Sequence, residues 1–98
     1  MYHNLATLHQ RRGVTEAART YYAEALRIEE RAHGENHHAV ARSLLGLAVV
    51  SLQDRRVNEG RALLARASRI ASTTMVATQP ERVMIEQLIR LLEGGNAT

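Results

Sequence analysis

An internal repeat is the feature that most limits how this chain can fold. When the sequence is shifted by 42 residues, small and apolar residues fall on small and apolar residues, whereas the residues between them differ. The clearest matches set Asn4-Leu5-Ala6 on Gly46-Leu47-Ala48, and Ala18, Tyr21, Tyr22, Ala25 and Ile28 on Gly60, Leu63, Leu64, Ala67 and Ile70. A repeat of this length, built from two helical segments, is typical of stacked helical hairpins that bury their apolar faces against one another.

Composition and spacing both favour helices. Ala and Leu are abundant, β-branched residues are sparse and Pro80 is the single proline, as in helical proteins. Apolar residues recur every three or four positions, which predicts helices over 2–11, 15–32, 37–53, 57–73 and 79–93. Glycines at 13, 34 and 94–95 are expected to end helices, and Asn36 is expected to cap the third helix.

We therefore predict an all-α fold, a solenoid of helical hairpins with two repeats and a C-terminal capping helix. The 98 residues are enough for one small domain. The predicted parts are a first repeat over 1–34 whose opening helix lacks about one turn, a second repeat over 35–76, a last helix over 79–93 and a tail over 94–98.

The composition also excludes several classes of protein. The chain has no Cys, so it has no disulfide framework and no cysteine-ligated zinc, and this composition fits a reducing cytoplasm. The longest nearly apolar run, residues 44–52, is too short to cross a membrane, and nothing resembles a secretion signal. We expect a cytoplasmic protein that makes no membrane contact.

The positive charge is carried by arginine alone. Thirteen Arg and no Lys, set against ten acidic residues, give a net charge of +3, and this usage indicates the coding bias of a GC-rich bacterial genome. Arg11-Arg12 and Arg55-Arg56 fall at equivalent turns, so we expect one basic edge. No stacking aromatic accompanies that edge, which makes nucleic-acid binding a minor alternative.

Several repeated residues form a pattern known from other proteins. They are Asn4-Leu5-Ala6, Gly13, Ala18, Tyr22, Ala25-Leu26 and Ile28, followed by the linker Gly34-Glu35-Asn36-His37 and by Val40-Ala41. Over residues 1 to about 73 this pattern resembles the tetratricopeptide repeat (TPR), and the spacing resembles its kinesin-light-chain type. One departure is Arg55, which replaces the turn glycine found at Gly13, so we expect a wider turn there.

The resemblance implies a groove, lined by the first helix of each hairpin, that binds a peptide or helix of a partner protein. Asn4 matches a family Asn that can bond a ligand backbone, and Arg11 and Arg42 could pair with acidic groups, so an acidic partner is expected. The groove positions carried over are His3, Asn4, Thr7, Gln10, Arg11, Arg42, Leu45, Val49, Leu52 and Gln53.

The last helix leaves two questions open. By simple register, part of a polar stripe formed by Arg82, Glu86, Arg90 and Glu93 would point into the core. Either the helix shifts or rotates, or it is a solvating cap. Its apolar side also offers a surface for self-association as a homo-oligomer or scaffold fragment, through Met84, Leu88, Leu91 and Leu92.

Catalytic and metal sites have little support in the sequence. His33, His37 and His38 are close in the chain, but Gly34 is expected to break the helix between them, so we predict turn residues and no metal site. No nucleophile motif surrounds the serines, and no glycine-rich phosphate loop is present. We predict a chain that is not an enzyme and carries no cofactor.

Overall fold

Five helices account for most of the residues that the structure describes. The computed structural model describes the backbone of residues 2–97 and the side chains of residues 4–94. The helices, in chain order, are α1 (Tyr2–Arg11), α2 (Thr15–His33), α3 (His38–Gln53), α4 (Val57–Thr74) and α5 (Pro80–Ala97). The all-α prediction is confirmed, with most ends within one residue of those expected. The exception is α5, which continues through Gly94 into the predicted tail.

Each repeat is a helical hairpin closed by the same turn. In the first repeat the amide of Gly13 donates to the carbonyl of Gln10 at 3.1 Å, and in the second the amide of Arg55 donates to that of Leu52 at 3.0 Å. Gly13 has φ +77° and Arg55 has φ +62°. The expected wider turn at Arg55 is therefore wrong, because Arg55 adopts the left-handed conformation that normally favours glycine.

The core consists of two apolar clusters that meet on α3. One cluster joins α1, α2 and α3 through Ala6, Ala18, Tyr22, Leu47 and Val50. The other joins α3, α4 and α5 and includes Leu44, Leu64, Ala67, Ile70 and Ile85. Since α3 contributes to both, it is buried on most of its surface, which explains why its residues are apolar nearly throughout.

The last helix keeps the register of the repeat. The apolar residues of α5 that pack in or against the core cluster occupy the positions at which α3 meets the preceding hairpin: Ile85, Leu88, Ile89 and Leu92 correspond to Ser43, Gly46, Leu47 and Val50. The helix therefore packs on the second hairpin as α3 packs on the first.

After the 42-residue shift, the polar stripe of α5 corresponds to the side of α3 that faces α4. Arg90 and Glu93 are exposed, and Arg82 donates to the carbonyl of Met75 at 2.7 Å and pairs with Glu86 at 3.4 Å. The helix neither shifts nor rotates, and the stripe lies outside the core. The role of α5 as a cap stays a prediction.

The linker between the hairpins begins at Gly34, with φ +84°. The cap of α3 is His37, whose Nδ1 accepts a hydrogen bond from the amide of Ala39 at 3.1 Å, so the prediction of Asn36 as the cap is wrong.

In the part of the chain that the structure describes, none of the helices combines the length and the hydropathy that a membrane span requires.

Candidate partner-binding groove

A groove with a volume of 170 Å³ opens between α1, α3 and α5. Its floor is apolar and its rim carries charged and hydrogen-bonding groups. The residues that line it are Gln10, Tyr22, Arg42, Leu45, Gly46, Val49, Glu81 and Met84. α1 and α3 are the first helices of the two repeats, and α5 is their equivalent after the second repeat. The repeated arrangement therefore brings these side chains together.

Tyr22 reaches the groove from α2 by crossing α3 at Gly46. A Cβ atom placed on Gly46 would lie 2.2 Å from Cε1 of Tyr22, so the ring occupies the space that any other residue would fill. The ring is buried, and its hydroxyl emerges beside α1. There it donates to Oε1 of Gln10 at 2.9 Å and lies 3.1 Å from Oγ1 of Thr7.

An ion pair crosses the groove rim between α3 and α5. Nε of Arg42 lies 3.4 Å from Oε2 of Glu81, and Oε1 of Glu81 accepts from the side-chain amide of Gln79 at 3.1 Å. Nε of Arg42 is buried and donates no hydrogen bond, so the contact with Glu81 is an ion pair without one. Both side chains remain partly exposed, so solvent weakens the attraction.

The groove face continues along α5 beyond the groove itself. Under the 42-residue shift, Arg42, Leu45 and Val49 of α3 correspond to Met84, Gln87 and Leu91 of α5. Met84 is 49% exposed and Leu91 is 70% exposed. This face of α5 therefore carries two exposed apolar side chains, Met84 next to the groove and Leu91 towards the outer end of the helix, with the polar Gln87 between them.

Comparison with known proteins supplies the family. A tetratricopeptide repeat model matches residues 1–73. The chain belongs to the tetratricopeptide repeat family. No curated protein and no solved structure matches the chain. TPR repeats generally form protein–protein interaction modules, so the chain is an interaction module of this kind; the kinesin-light-chain subtype stays a prediction.

Four of the ten groove positions predicted from the TPR resemblance line the groove. Gln10, Arg42, Leu45 and Val49 do so. Thr7 lies behind Gln10, at the hydroxyl of Tyr22. The side chains of Asn4, Arg11 and Gln53 are exposed outside the lining set, Leu52 packs beside Gly60, and the side chain of His3 lies outside the described residues.

Four lining residues were not predicted for the groove. Glu81 and Met84 follow α3 in the 42-residue register, since Met84 corresponds to Arg42, so extending the repeat to α5 would have found them. Gly46 carried a signal too, because a glycine within a buried helix indicates close approach by another group. Tyr22 gave no such signal, since its periodicity marks it only as a core residue.

The predicted self-association residues divide into two pairs. Leu88 and Leu92 pack against the core cluster of α3 and α4. Met84 and Leu91 point outward and lie on the groove face. A contact between α5 and a second copy would therefore have to use Met84 and Leu91. Such a contact would compete with the binding of a partner in the groove.

Three histidine rings lie against one another at the linker: the ring of His37 stacks on that of His33 and is tilted by 31° against that of His38. The ring centroids of His33 and His37 are 4.1 Å apart, as are those of His37 and His38. Burial lowers the pKa of His37, and the neighbouring His33 and His38 lower it further. Within the described residues, no group of three or more His, Asp or Glu side chains could hold a metal ion.

The predicted basic edge is partly neutralised by acidic residues. Arg56 pairs with Glu59 at 3.8 Å, and Arg19 reaches Glu59 at 3.0 Å and Asp54 at 3.5 Å. A hydrogen bond from Thr15 lowers the pKa of Asp54, and Arg19 lowers it further. Nucleic-acid binding at this edge stays a prediction, now opposed by two nearby carboxylates.

Proposed function

We propose that this TPR chain is a non-catalytic module that holds a segment of a partner protein in the groove between α1, α3 and α5. The observation that carries the proposal is the apolar floor formed by Leu45, Val49 and Met84. A folded protein gains by covering such surface. The hydrogen-bonding groups on the rim can orient a bound chain.

The charge of the module favours an acidic partner. The net charge is +3, and Arg11 is exposed near the α1 end of the groove. Opposite net charges speed the encounter of two proteins more than they tighten the complex. We therefore expect association rates to fall as salt is added, while the dissociation rate stays nearly constant. Cytoplasmic location stays a prediction.

A random peptide library displayed on phage tests the proposal. Peptides enriched on the wild-type protein are synthesised, and their affinity is measured by fluorescence anisotropy. Met84→Glu puts a charge on the apolar floor and should weaken binding at least about tenfold. Val57→Glu is the matched control, because Val57 is also partly exposed and lies at the start of α4, outside the groove.

The variants separate the outcomes. Loss of binding in Met84→Glu, with binding retained in Val57→Glu and unchanged circular dichroism in both, supports the groove. Equal binding by all three proteins would place the site elsewhere. Failure to enrich any peptide would overturn the proposal that this groove takes up a peptide segment.

Self-association is a second candidate, favoured by two exposed leucines on α1. Leu5 and Leu8 correspond to Leu47 and Val50, which are buried between the two hairpins. The exposed pair is thus suited to meet another helical hairpin, such as that of a second copy. Light scattering tests this: a dimer that Leu8→Glu dissociates would support the idea, and a wild-type monomer at all concentrations would exclude it.

A further inference from the structure

The two repeats place different chemistry at equivalent positions of the groove wall. Thr7, Gln10 and Tyr22 of the first repeat correspond to Val49, Leu52 and Leu64 of the second. All three differ in the same direction, from hydrogen-bonding side chains to aliphatic ones. The groove is consequently polar at its α1 end, whereas its floor from α3 to α5 is apolar and only its rim there is charged, through Arg42 and Glu81.

The polar end is built as a connected unit. The hydroxyl of Tyr22 donates to Oε1 of Gln10 at 2.9 Å and lies 3.1 Å from Oγ1 of Thr7. Gly46 is required for this arrangement, since any Cβ there would displace the Tyr22 ring. The second repeat contains no such unit, because Leu64 ends within the core and Leu52 packs beside Gly60.

The contact with Tyr22 orients the Gln10 amide. Oε1 accepts the proton of the Tyr22 hydroxyl with one of its two lone pairs, and this contact uses neither of the two N–H donors on Nε2, which can therefore bind a ligand acceptor. Gln10 is half-buried and lines the groove. The α1 helix contains no acidic residue, so no carboxylate of α1 can act as the acceptor for these donors.

We propose that Tyr22 and Gly46 give the groove a direction: the bound segment presents a carbonyl oxygen to Nε2 of Gln10 and packs aliphatic side chains on Leu45, Val49 and Met84. Tyr22 acts as a positioning residue for Gln10. The ligand class is a peptide segment with an aliphatic residue next to an exposed main-chain or amide carbonyl. This inference rests on the proposed function.

The sharpest test is Gln10→Glu, measured with the peptides selected on the wild-type protein. The carboxylate still accepts the hydrogen bond from Tyr22 but has no N–H donor, so a ligand carbonyl meets another acceptor. We expect affinity to fall about tenfold or more. Gln53→Glu is the matched control for charge, since Gln53 is exposed outside the groove, and its affinity should stay near that of the wild type.

Tyr22→Phe tests the positioning role. The variant keeps the ring that fills the space over Gly46 and removes only the hydroxyl, so Gln10 loses its partner but keeps its donors. We expect affinity to fall about two- to fivefold, less than in Gln10→Glu. Tyr21→Phe makes the same change on the same helix, where the ring stacks on His9, and should bind normally.

The results distinguish this inference from the proposed function. If the peptides need the floor at Met84 but bind Gln10→Glu as well as the wild type, the groove is a binding site and the inferred direction is wrong. Equal losses in Gln10→Glu and Gln53→Glu would attribute the effect to net charge and would also overturn the inference. If no peptide is enriched, both proposals fail together.

Discussion

The two hairpins have the same backbone arrangement, but residues at equivalent positions differ in how much of their surface is exposed. Leu5 of the first hairpin is 37% exposed, whereas its equivalent Leu47 is 7% exposed. Ile28 is 41% exposed, whereas its equivalent Ile70 is 3% exposed. The pairs are chemically identical, so the difference arises from their surroundings.

Neighbouring elements explain both differences. Leu47 lies between the two hairpins, in the cluster that contains Ala6 and Tyr22. Ile70 shares a cluster with Val40 and Ala41 from the first turn of α3, and α1, which begins at Tyr2, has no equivalent of that turn among the described residues. In a stacked repeat, the burial of a residue thus depends on the neighbouring hairpin as well as on its own.

The largest effect should come from truncating the equivalent leucines. Leu47→Ala is expected to lower the free energy of unfolding by about 2–5 kcal/mol, because it leaves a cavity in the core. Leu5→Ala should cost less than about 1 kcal/mol, since much of that side chain is already in water. Urea unfolding of both variants measures the difference, and similar losses would show that α1 buries Leu5 in solution.

The stability of the protein should be nearly as sensitive to a change at Gly46, where the Tyr22 ring crosses α3. Gly46→Ala is expected to destabilise the protein by about 1–3 kcal/mol, because the new methyl group overlaps the ring. Tyr22→Leu, which copies the second repeat, should relieve much of this cost in the double variant.

Gly94→Ala is the control for this position, since it is helical and no atom lies near its added Cβ. That variant should be neutral or slightly stabilising. A Gly46→Ala protein as stable as the wild type would mean that the Tyr22 ring has another place to go.

Exchanging the turn residues tests the equivalence of the two turns. Arg55 has a left-handed φ of +62°, which costs a non-glycine residue about 1–2 kcal/mol. Glycine removes that strain but loses about 0.5–1 kcal/mol through its freer unfolded chain. Arg55→Gly should therefore stabilise the protein by about 0.5–1 kcal/mol, and Gly13→Arg should destabilise it. Thermal melting of both variants gives the signs, and destabilisation by Arg55→Gly would contradict the assigned strain.

The smallest effect is expected at the linker between the hairpins, and it depends on pH. The pKa of His37 is lowered from 6.5 in the folded protein. As pH falls, the unfolded chain therefore binds the proton first, and stability decreases below about pH 7. Protonated Nδ1 cannot accept from Ala39, and a cation at the start of α3 opposes the helix dipole.

His37→Asn keeps a capping side chain that does not titrate, so its melting temperature should change less between about pH 7.5 and pH 5. The residues whose charges act on His37 are His33, His38 and Glu29, and they remain in this variant. A wild-type melting temperature that is constant over this range would contradict the role of His37. The lowered pKa of Asp54 acts in a separate window, below about pH 4, where its protonation removes stability.

The fold was predictable because its signals are local and occur twice. Helix boundaries followed from apolar spacing, whereas the sequence left the register of α5 open. The prediction failed at Arg55, which adopts the same left-handed turn as Gly13 although an arginine disfavours that conformation. It also failed at Asn36, where His37 performs the capping.

The sequence by itself determined that the chain is all helical, that it repeats every 42 residues and that small residues mark where helices meet. These properties depend on residue type and spacing along one chain. Only the tertiary structure decided that Tyr22 passes Gly46 to hold Gln10, and that Met84 belongs to the groove while Leu88 faces the core. Such contacts join residues from different helices, and their distances depend on how the hairpins pack.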